Sequence, residues 1–279
     1  MTRPTQERRD ATPPGGKALL LAKVAAEHAL WTRVRAQRLV ERHQPERPRP
    51  KPEPVAATAV LQRRAEWEES LSTARALRLP VHPDHQKNWD ALGAVSTIVN
   101  RLDSCASVLD AGSARYSSIL PWLRLYGFTE LVGNNLEFTR TVRRDGVTFR
   151  YGDVTVTDFP DARFDAVTCM SVIEHGVPIG PFLEEQARIL KPGGLLIVST
   201  DYDQDPVDTT GHTIYGNPVH IFSPAEIRRL VDTTAQHGLH LEGSLHLEHP
   251  ERPVYWKRLD LRYTFIRLTF VKGRETRYR

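Results

Sequence analysis

Five places along the chain set polar side chains directly after an apolar run, and these are the places where chemistry could be done. The run "VLDAG" closes on Asp110, Ala111 and Gly112, with Ser113 next. "ELVGNN" closes on Asn134 and Asn135, followed by Leu136 and Glu137. "VTFRYG" leads into Asp153 and Val154, and "FDAVTC" into Met170, Ser171 and Val172, with His175 just beyond. "GLLIVST" leads into Asp201 and Tyr202. A pyrophosphate cradle would need several glycines after the first run, so that backbone N–H groups can close on phosphate oxygens. Here Arg115 and Tyr116 fill that space and no Gly-Lys-Ser/Thr follows. What is left is one close backbone approach at Gly112 beside a carboxylate, which disfavours a dinucleotide or ATP and suits a cationic ligand without phosphate.

A second constellation lies in "TDYDQDPVDTTGHTIYGNPVHIFS" (200–223). This is far longer than the few residues that usually join a strand to the next helix. It reads as a lid over an acceptor, with Asp201, His212 or His220 as a base. His175, in "SVIEHG", is read in two ways: as a base working near neutral pH, or as a structural residue closing the turn. The carboxylates and histidines of the lid raise the question of a divalent ion. The plainer reading is a solvated loop, and no metal ligands are assigned.

The elements that must position these groups follow from hydrophobic patterning. Runs at 107–112, 129–134, 147–152, 164–172 and 194–200 are nearly continuously apolar, as expected of strands buried on both faces of a parallel sheet. Helical patterns alternate with them. The spacing predicts helices over 17–43, about 56–79, 84–102 and 181–190, and "SPAE" at 223–226 supplies a Ser cap, Pro at N1 and Glu at N3. On the first helix Leu20, Val24, Trp31 and Val34 form one stripe. The segments 239–248 and 263–272 alternate and predict a final antiparallel pair. The whole reads as an α/β three-layer, Rossmann-like sandwich. Residues 1–16 are expected to be disordered, 17–80 to be a helical extension with a stiff proline-rich linker at 44–54, and 81–279 to be the main domain.

Charge is unevenly divided: the net charge of +4 is +7 up to residue 80 and −3 beyond it. The basic excess therefore belongs to the extension, and the acidic main domain argues against a nucleic acid partner. The two cysteines match no metal spacing and point to a reducing, cytoplasmic setting. No apolar run approaches the roughly 20 residues of a membrane span, so no membrane partner is expected.

Taken in order and spacing, "VLDAG", "LVGNNLEF", "YGDVT", "FDAVTCMSVIEHG" and "LKPGGLLIVST" resemble a class I S-adenosylmethionine-dependent methyltransferase. The resemblance is to the small-molecule branch (type 11) that includes the ubiquinone-biosynthesis-type enzymes, and it covers roughly residues 84–272. It implies a mostly parallel seven-stranded sheet with an antiparallel last strand, and S-adenosyl-L-methionine as cofactor. Asp110, Ala111, Gly112 and Ser113 match the loop at the methionine moiety. Asp153 matches the acceptor for the adenine amino group, with Val154 covering the ring. Met170, Ser171 and Val172 match the positions lining the cofactor. One position departs: the family usually has Asp or Glu at the end of the second strand to grip the ribose, and this chain has Asn135 after Asn134. A neutral hydrogen bond is roughly half as strong as a charge-assisted one, and Glu137 is the alternative for that role. The expected function is methyl transfer to a small molecule or glycan, at oxygen. The alternatives are N-methylation, or a non-catalytic methyltransferase-like binding or scaffold protein. A homodimer through the N-terminal helices is a further expectation.

Overall fold

A computed structural model describes residues 9–10, 16–44, 46 and 48–274. In chain order the elements are β1 (Arg9–Asp10), α1 (Lys17–His43), β2 (Ala59–Val60), α2 (Arg64–Ala76) and α3 (Lys87–Arg101). There follow β3 (Ser107–Ala111), α4 (Ile119–Leu125), β4 (Glu130–Asn135), β5 (Val142–Arg144), β6 (Val147–Tyr151) and β7 (Phe164–Met170). After a 3-10 turn at Ile173–His175 come α5 (Ile179–Ile189), β8 (Leu190–Tyr202), β9 (His212–Ile214), β10 (Asn217–Pro218) and α6 (Pro224–Gln236). The chain ends in β11 (Leu239–Leu241), β12 (Val254–Trp256) and β13 (Leu261–Lys272).

The large sheet runs β11-β13-β8-β7-β3-β4-β6-β5. The pairs β3–β4, β3–β7, β4–β6 and β7–β8 are parallel, and β13 lies antiparallel between β8 and β11. Seven strands, β6 to β11 in that order, make the expected sheet. Three short ones extend it: β5 hairpins onto β6, while β2 and β12 share the outer edge of β13 with β11. From β3 the chain winds outward through β4 and β6, then returns through β7 and β8 on the other side. The strand order therefore reverses between β3 and β7, and a crevice opens at their carboxyl ends. Both faces are covered: α3 and α4 pack on one, α5 and α6 on the other. That is why the strands are apolar throughout rather than alternating. Among the described residues no helix is long and apolar enough to cross a membrane.

Several local readings change. Of the segment expected to be disordered, only Arg9, Asp10 and Gly16 are described, and Arg9–Asp10 pairs with β9. The predicted second helix begins later: Ala59–Val60 is a strand on β13, and helix starts only at Arg64. The helix expected over 181–190 runs from Ile179 to Ile189, and "LKPGG" opens β8. In 239–248 only Leu239–Leu241 is strand. On α1, Trp31 and Val34 are buried but Val24 is 42% exposed, and the side chain of Leu20 lies outside the described residues. The capping box of α6 is formed as the sequence predicts, Ser223 and Glu226 bonding reciprocally.

The extension is built into the core. Trp31, Val34, Ala74 and Leu77 belong to the same apolar cluster as α3, α4 and β4, and Trp31 meets Phe149 edge to face. The proline-rich segment is extended and laid on the body. Its carbonyls accept from Ser96 (to Glu53 O, 2.6 Å), Asn100 (to Pro52 O, 2.9 Å) and Tyr126 (to Pro50 O, 3.1 Å). This strap buries the outer face of α3, so that residues 88–99 are covered all round. Within α3, Gly93 makes room for the buried Arg267 of β13, whose guanidinium stacks on Trp89 (4.9 Å) and donates to Ala56 O (2.8 Å). A Cβ at Gly93 would lie 1.8 Å from Arg267 Nη1. Helix propensity alone would favour Gly93→Ala. The collision reverses the sign, and a lowered thermal midpoint corresponding to about 1–3 kcal/mol is expected, measured by differential scanning calorimetry.

Candidate active site

The crevice is closed at its base by backbone and side chain together. Asp110 is buried; its Oδ1 accepts from Thr168 Oγ1 (2.8 Å) and its Oδ2 from Ser117 Oγ (2.9 Å). Burial pushes its pKa up. The carboxylate is thus turned inward, where it ties β3 to β7 and to the start of α4's approach. Ala111 and Ser113 are buried beside it. Gly112 has φ +77°, and a Cβ there would fall 2.5 Å from a methyl carbon of Val172. The β3 and β7 loops are therefore in direct contact, which only glycine permits. Ser171, between Met170 and Val172, also sits in the left-handed region at φ +53°.

At the next strand end Asn135 joins the two loops. Its Nδ2 donates to Gly112 O (3.0 Å) and Ser113 O (3.2 Å), and its Oδ1 accepts from the Glu137 N–H (2.8 Å). Asn134 is fully buried, and neither atom of its amide has a partner among the described residues. Leu136 and Glu137 are exposed, with Glu137 3.6 Å from Lys23 of α1. After β6, Asp153 folds onto Thr155, its Oδ1 accepting from the Thr155 N–H (2.8 Å) and Oγ1 (2.7 Å); Oδ2 has no bond to the described residues. Val154 is buried and its carbonyl accepts from Gln186 (2.7 Å). On the other flank α1 reaches the first loop: the buried Glu27 pairs with Arg115 (3.0 Å) and Arg144 (3.3 Å).

A second cluster, hidden in the sequence, lies where α3 begins and β7 and β8 end. The Lys87 ammonium bonds Ser171 Oγ, lies 3.9 Å from Asp201 Oδ1 and stands 3.9 Å over the Phe265 ring. Burial opposes its charge, but Asp201, Asp90, Glu174 and Asp84 together outweigh burial and raise its pKa. Asp90 is buried, accepts from Ser199 Oγ (2.7 Å) and is pushed up by burial. Glu174 is buried, with Oε2 accepting from Thr200 Oγ1 (3.1 Å) and Oε1 without a partner among the described residues. Burial lifts it to about 7. Asp201 is lifted to about 7 as well, by burial and then by Glu174, against Lys87, His175 and a hydrogen bond from Tyr263. Burial lowers the pKa of His175, whose ring packs edge-on against Tyr215 (5.6 Å).

The lid is fastened at both ends. Asp201 O accepts from Phe222 N (3.0 Å) and Phe222 O from Asp203 N (3.1 Å), so the end of the lid rejoins β8. The buried Asp203 meets Arg252 at 2.9 Å and His249 at 3.8 Å, a structural ion pair. His212 is buried on β9 with Nδ1 unpartnered among the described residues. His220 stands 3.4 Å from Glu226 and edge-on to Phe222 (4.5 Å), at the rim of a cavity of about 540 Å³. Ile173, Val177, Phe222 and Leu230 line the cavity, and Glu174 contributes to its wall. Of the expected bases, the structure gathers His175 and Asp201 into one cluster and leaves His212 and His220 on separate arms of the lid. Among the described residues no group of three or more His, Cys, Asp or Glu is placed to hold a metal. Sequence reasoning missed Lys87, Asp90, Glu174 and Tyr263. A signal existed for the first two: Lys87 and Asp90 flank Trp89 in a helix that otherwise turns apolar.

The donor set at the ends of β3, β4, β6 and β7 suits S-adenosylmethionine. The one cation of the first loop, Arg115, is committed to Glu27, so nothing there would recognise phosphate. The unpartnered amide of Asn134 and the free Oδ2 of Asp153 offer neutral and acidic partners for nucleoside N–H and O–H groups.

Residues 109–198 match a family described as "Methyltransferase domain". A ubiquinone biosynthesis O-methyltransferase from Bradyrhizobium sp. (strain ORS 278) is 54% identical over 41 residues, 15% of this chain and 16% of that protein. A protein described as a probable S-adenosylmethionine-dependent methyltransferase from Mycolicibacterium smegmatis is 32% identical over 105 residues, 37% of this chain and 39% of that one. The chain thus spans well under half the length of these curated relatives. Among solved structures, 1,6-didemethyltoxoflavin-N1-methyltransferase from Burkholderia thailandensis aligns over 80% of this chain and 100% of its own, at 18% identity and a TM-score of 0.47.

Glu174 makes a pH prediction. Its folded pKa, about 7, lies above its ordinary value of 4.5. Between these values the folded protein holds a proton that the unfolded chain has lost, so the group's contribution to stability falls as pH rises from about 4 to about 7. Glu174→Gln removes that loss. Relative to the parent, the variant is expected to gain up to about 3 kcal/mol on going from pH 4 to pH 8. Urea unfolding at the two pH values measures it, and a difference that does not grow with pH would contradict the assignment.

Proposed function

We propose that the methyltransferase domain of residues 109–198 makes this chain an S-adenosylmethionine-dependent methyltransferase acting at an oxygen of a small molecule or glycan. When bound, the cofactor supplies an electrophilic methyl group on a sulfonium. Asn134, Asp153 and Val154 would hold its nucleoside, with Asn135 or Glu137 at the ribose. Asp110 keeps the Gly112 loop in place, and Met170, Ser171 and Val172 flank the donor. Much of the rate of such a displacement comes from alignment, which the contact between the β3 and β7 loops fixes.

The observation that carries the oxygen reading is Glu174. It is buried, poised near neutrality, and contributes to the wall of the 540 Å³ cavity with one carboxylate oxygen unused. A hydroxyl acceptor must lose its proton as the new C–O bond forms, and such a base contributes about 10²–10⁴-fold. Asp201 and Lys87 hold the neighbouring charge, and burial lowers the pKa of His175 beside them. The lid and the cavity exclude water and seat the acceptor, whose apolar body would face Ile173, Phe222 and Leu230.

One observation favours a second, non-catalytic reading: every polar atom of the Asn135 amide is used within the protein. The unpaired cysteines, Cys105 exposed and Cys169 buried, support a cytoplasmic setting. The exposed Leu21, Val24, Leu39 and Val40 of α1 support a homodimer through the N-terminal helices.

Two measurements test the reading. Calorimetric titration with S-adenosylhomocysteine should give binding that Asp153→Ala weakens by about tenfold or more; no binding at millimolar concentration favours the non-catalytic protein. With an acceptor in hand, kcat/KM should rise with pH through about 7 and lose that limb, with a fall of about 10²-fold or more, in Glu174→Gln. An acceptor amine, already carrying its lone pair, would leave kcat/KM of that variant nearly unchanged at alkaline pH.

A further inference from the structure

A second site lies away from the strand ends. Arg35, Arg38, Leu39 and Arg42 fall at i, i+3, i+4 and i+7 on one stripe of α1. They face Arg124 of α4 and the Asp145–Gly146 turn between β5 and β6, across a cleft of about 550 Å³. Four guanidinium groups line it, with a single carboxylate. That carboxylate is already shared: Asp145 Oδ2 takes a hydrogen bond from Arg38 (2.6 Å) and lies 3.6 Å from Arg124 Nε. Arg124 also supports the turn, donating to Asp145 O (2.6 Å) and Phe128 O (2.9 Å). Arg35 and Arg42 are exposed and have no partner among the described residues.

Like charges at these helical spacings repel, and the cleft concentrates an excess of positive charge that nothing on its walls neutralises. Burial, together with Arg38 and Arg42, weakens the hold of Arg124 on its proton. The planar fork of arginine matches phosphate oxygens two at a time. We propose that this cleft binds the phosphate or pyrophosphate group of a small molecule, with Arg35 and Arg42 as the free donors. The cleft is open to solvent, and its volume is in the range of a small-molecule site. A nucleic acid would have to continue along a body that carries a net charge of −3 beyond residue 80. The bound anion bridges α1 to α4 and the hairpin turn. It therefore stabilises the docking of the same helix whose Lys23 and Glu27 reach Glu137 and Arg115 beside the crevice.

The test is a calorimetric titration of the full-length chain with inorganic pyrophosphate at low ionic strength. A one-to-one complex with Kd of roughly 0.1–1 mM is expected, with a raised thermal midpoint. The double variant Arg35→Ala/Arg42→Ala should weaken binding about tenfold or more without lowering the ligand-free midpoint, because neither side chain has a partner among the described residues to lose and the repulsion across the cleft is relieved. No binding at millimolar pyrophosphate, or equal affinity in the double variant, overturns the proposal. A short single-stranded RNA that binds the parent protein and is not displaced by pyrophosphate overturns it too, in favour of a polymer site.

Discussion

The ammonium group of Lys87 holds the chemical end of this molecule together. It enters from the first turn of α3 and meets Ser171 after β7 and Asp201 at the end of β8, with Asp90 and Glu174 close enough to act on its charge. Three carboxyl groups packed this closely in a protein interior would be neutral without a cation, because desolvation and mutual repulsion both favour the protonated form. With one cation among three carboxyls the charges cannot all be satisfied. The outcome is intermediate: Lys87 stays charged, while Asp201 and Glu174 are left near pH 7. Such a cluster is a poor source of stability, since buried ion pairs seldom offset their desolvation. Buried carboxyls with pKa values raised in this way are found both at functional sites and in structural ion-pair networks.

The N-terminal extension is part of this arrangement. The proline-rich strap holds the outer face of α3 at Ser96 and Asn100, and α2 adds Trp67, Leu71 and Ala74 to buried surface. α1 reaches further and sets Glu27 between Arg115 and Arg144. The charge imbalance in the sequence, basic before residue 80 and acidic after it, is met in part where basic residues of the extension face acids of the body, at Lys23–Glu137 and Arg38–Asp145.

The parallel strands and their functional ends were legible because strands buried on both faces write themselves as apolar runs, and because the polar residues that end those runs must lie at one edge. The cap of α6 was legible because Ser223, Pro224 and Glu226 each act within one turn. The Lys87 cluster was not legible. Its members come from α3, the turn after β7, β8 and β13, and no local pattern signals that Tyr263 would face Asp201 across paired strands. The strand at Ala59–Val60 was hidden for a related reason. Ala59 favours helix and Val60 strand, so propensity does not decide, and the free edge of β13 makes them extended. The acidic lid misled in the other direction. The lid carboxylates raised the question of a divalent ion, but one of them, Asp203, is consumed by Arg252 and His249 in fastening the loop.

Asn135 was the sequence's clearest departure from the pattern it otherwise resembles, and the structure gives it a physical reason. Its side chain donates to two carbonyl oxygens, Gly112 O and Ser113 O, while its own oxygen accepts from the Glu137 N–H. An aspartate here could accept from Glu137 but would set a carboxylate against two carbonyls, with no proton to share. The loop after β3 lacks the glycines that let other loops close by backbone alone, and its Arg115 is drawn away to Glu27. Something must hold Gly112 and Ser113 down, and a neutral donor on the adjacent strand does so. The amide at 135 and the crowded first loop are therefore one feature. The residue that acceptance at Asn135 fixes in place, Glu137, is the carboxylate that Lys23 of the extension meets from above.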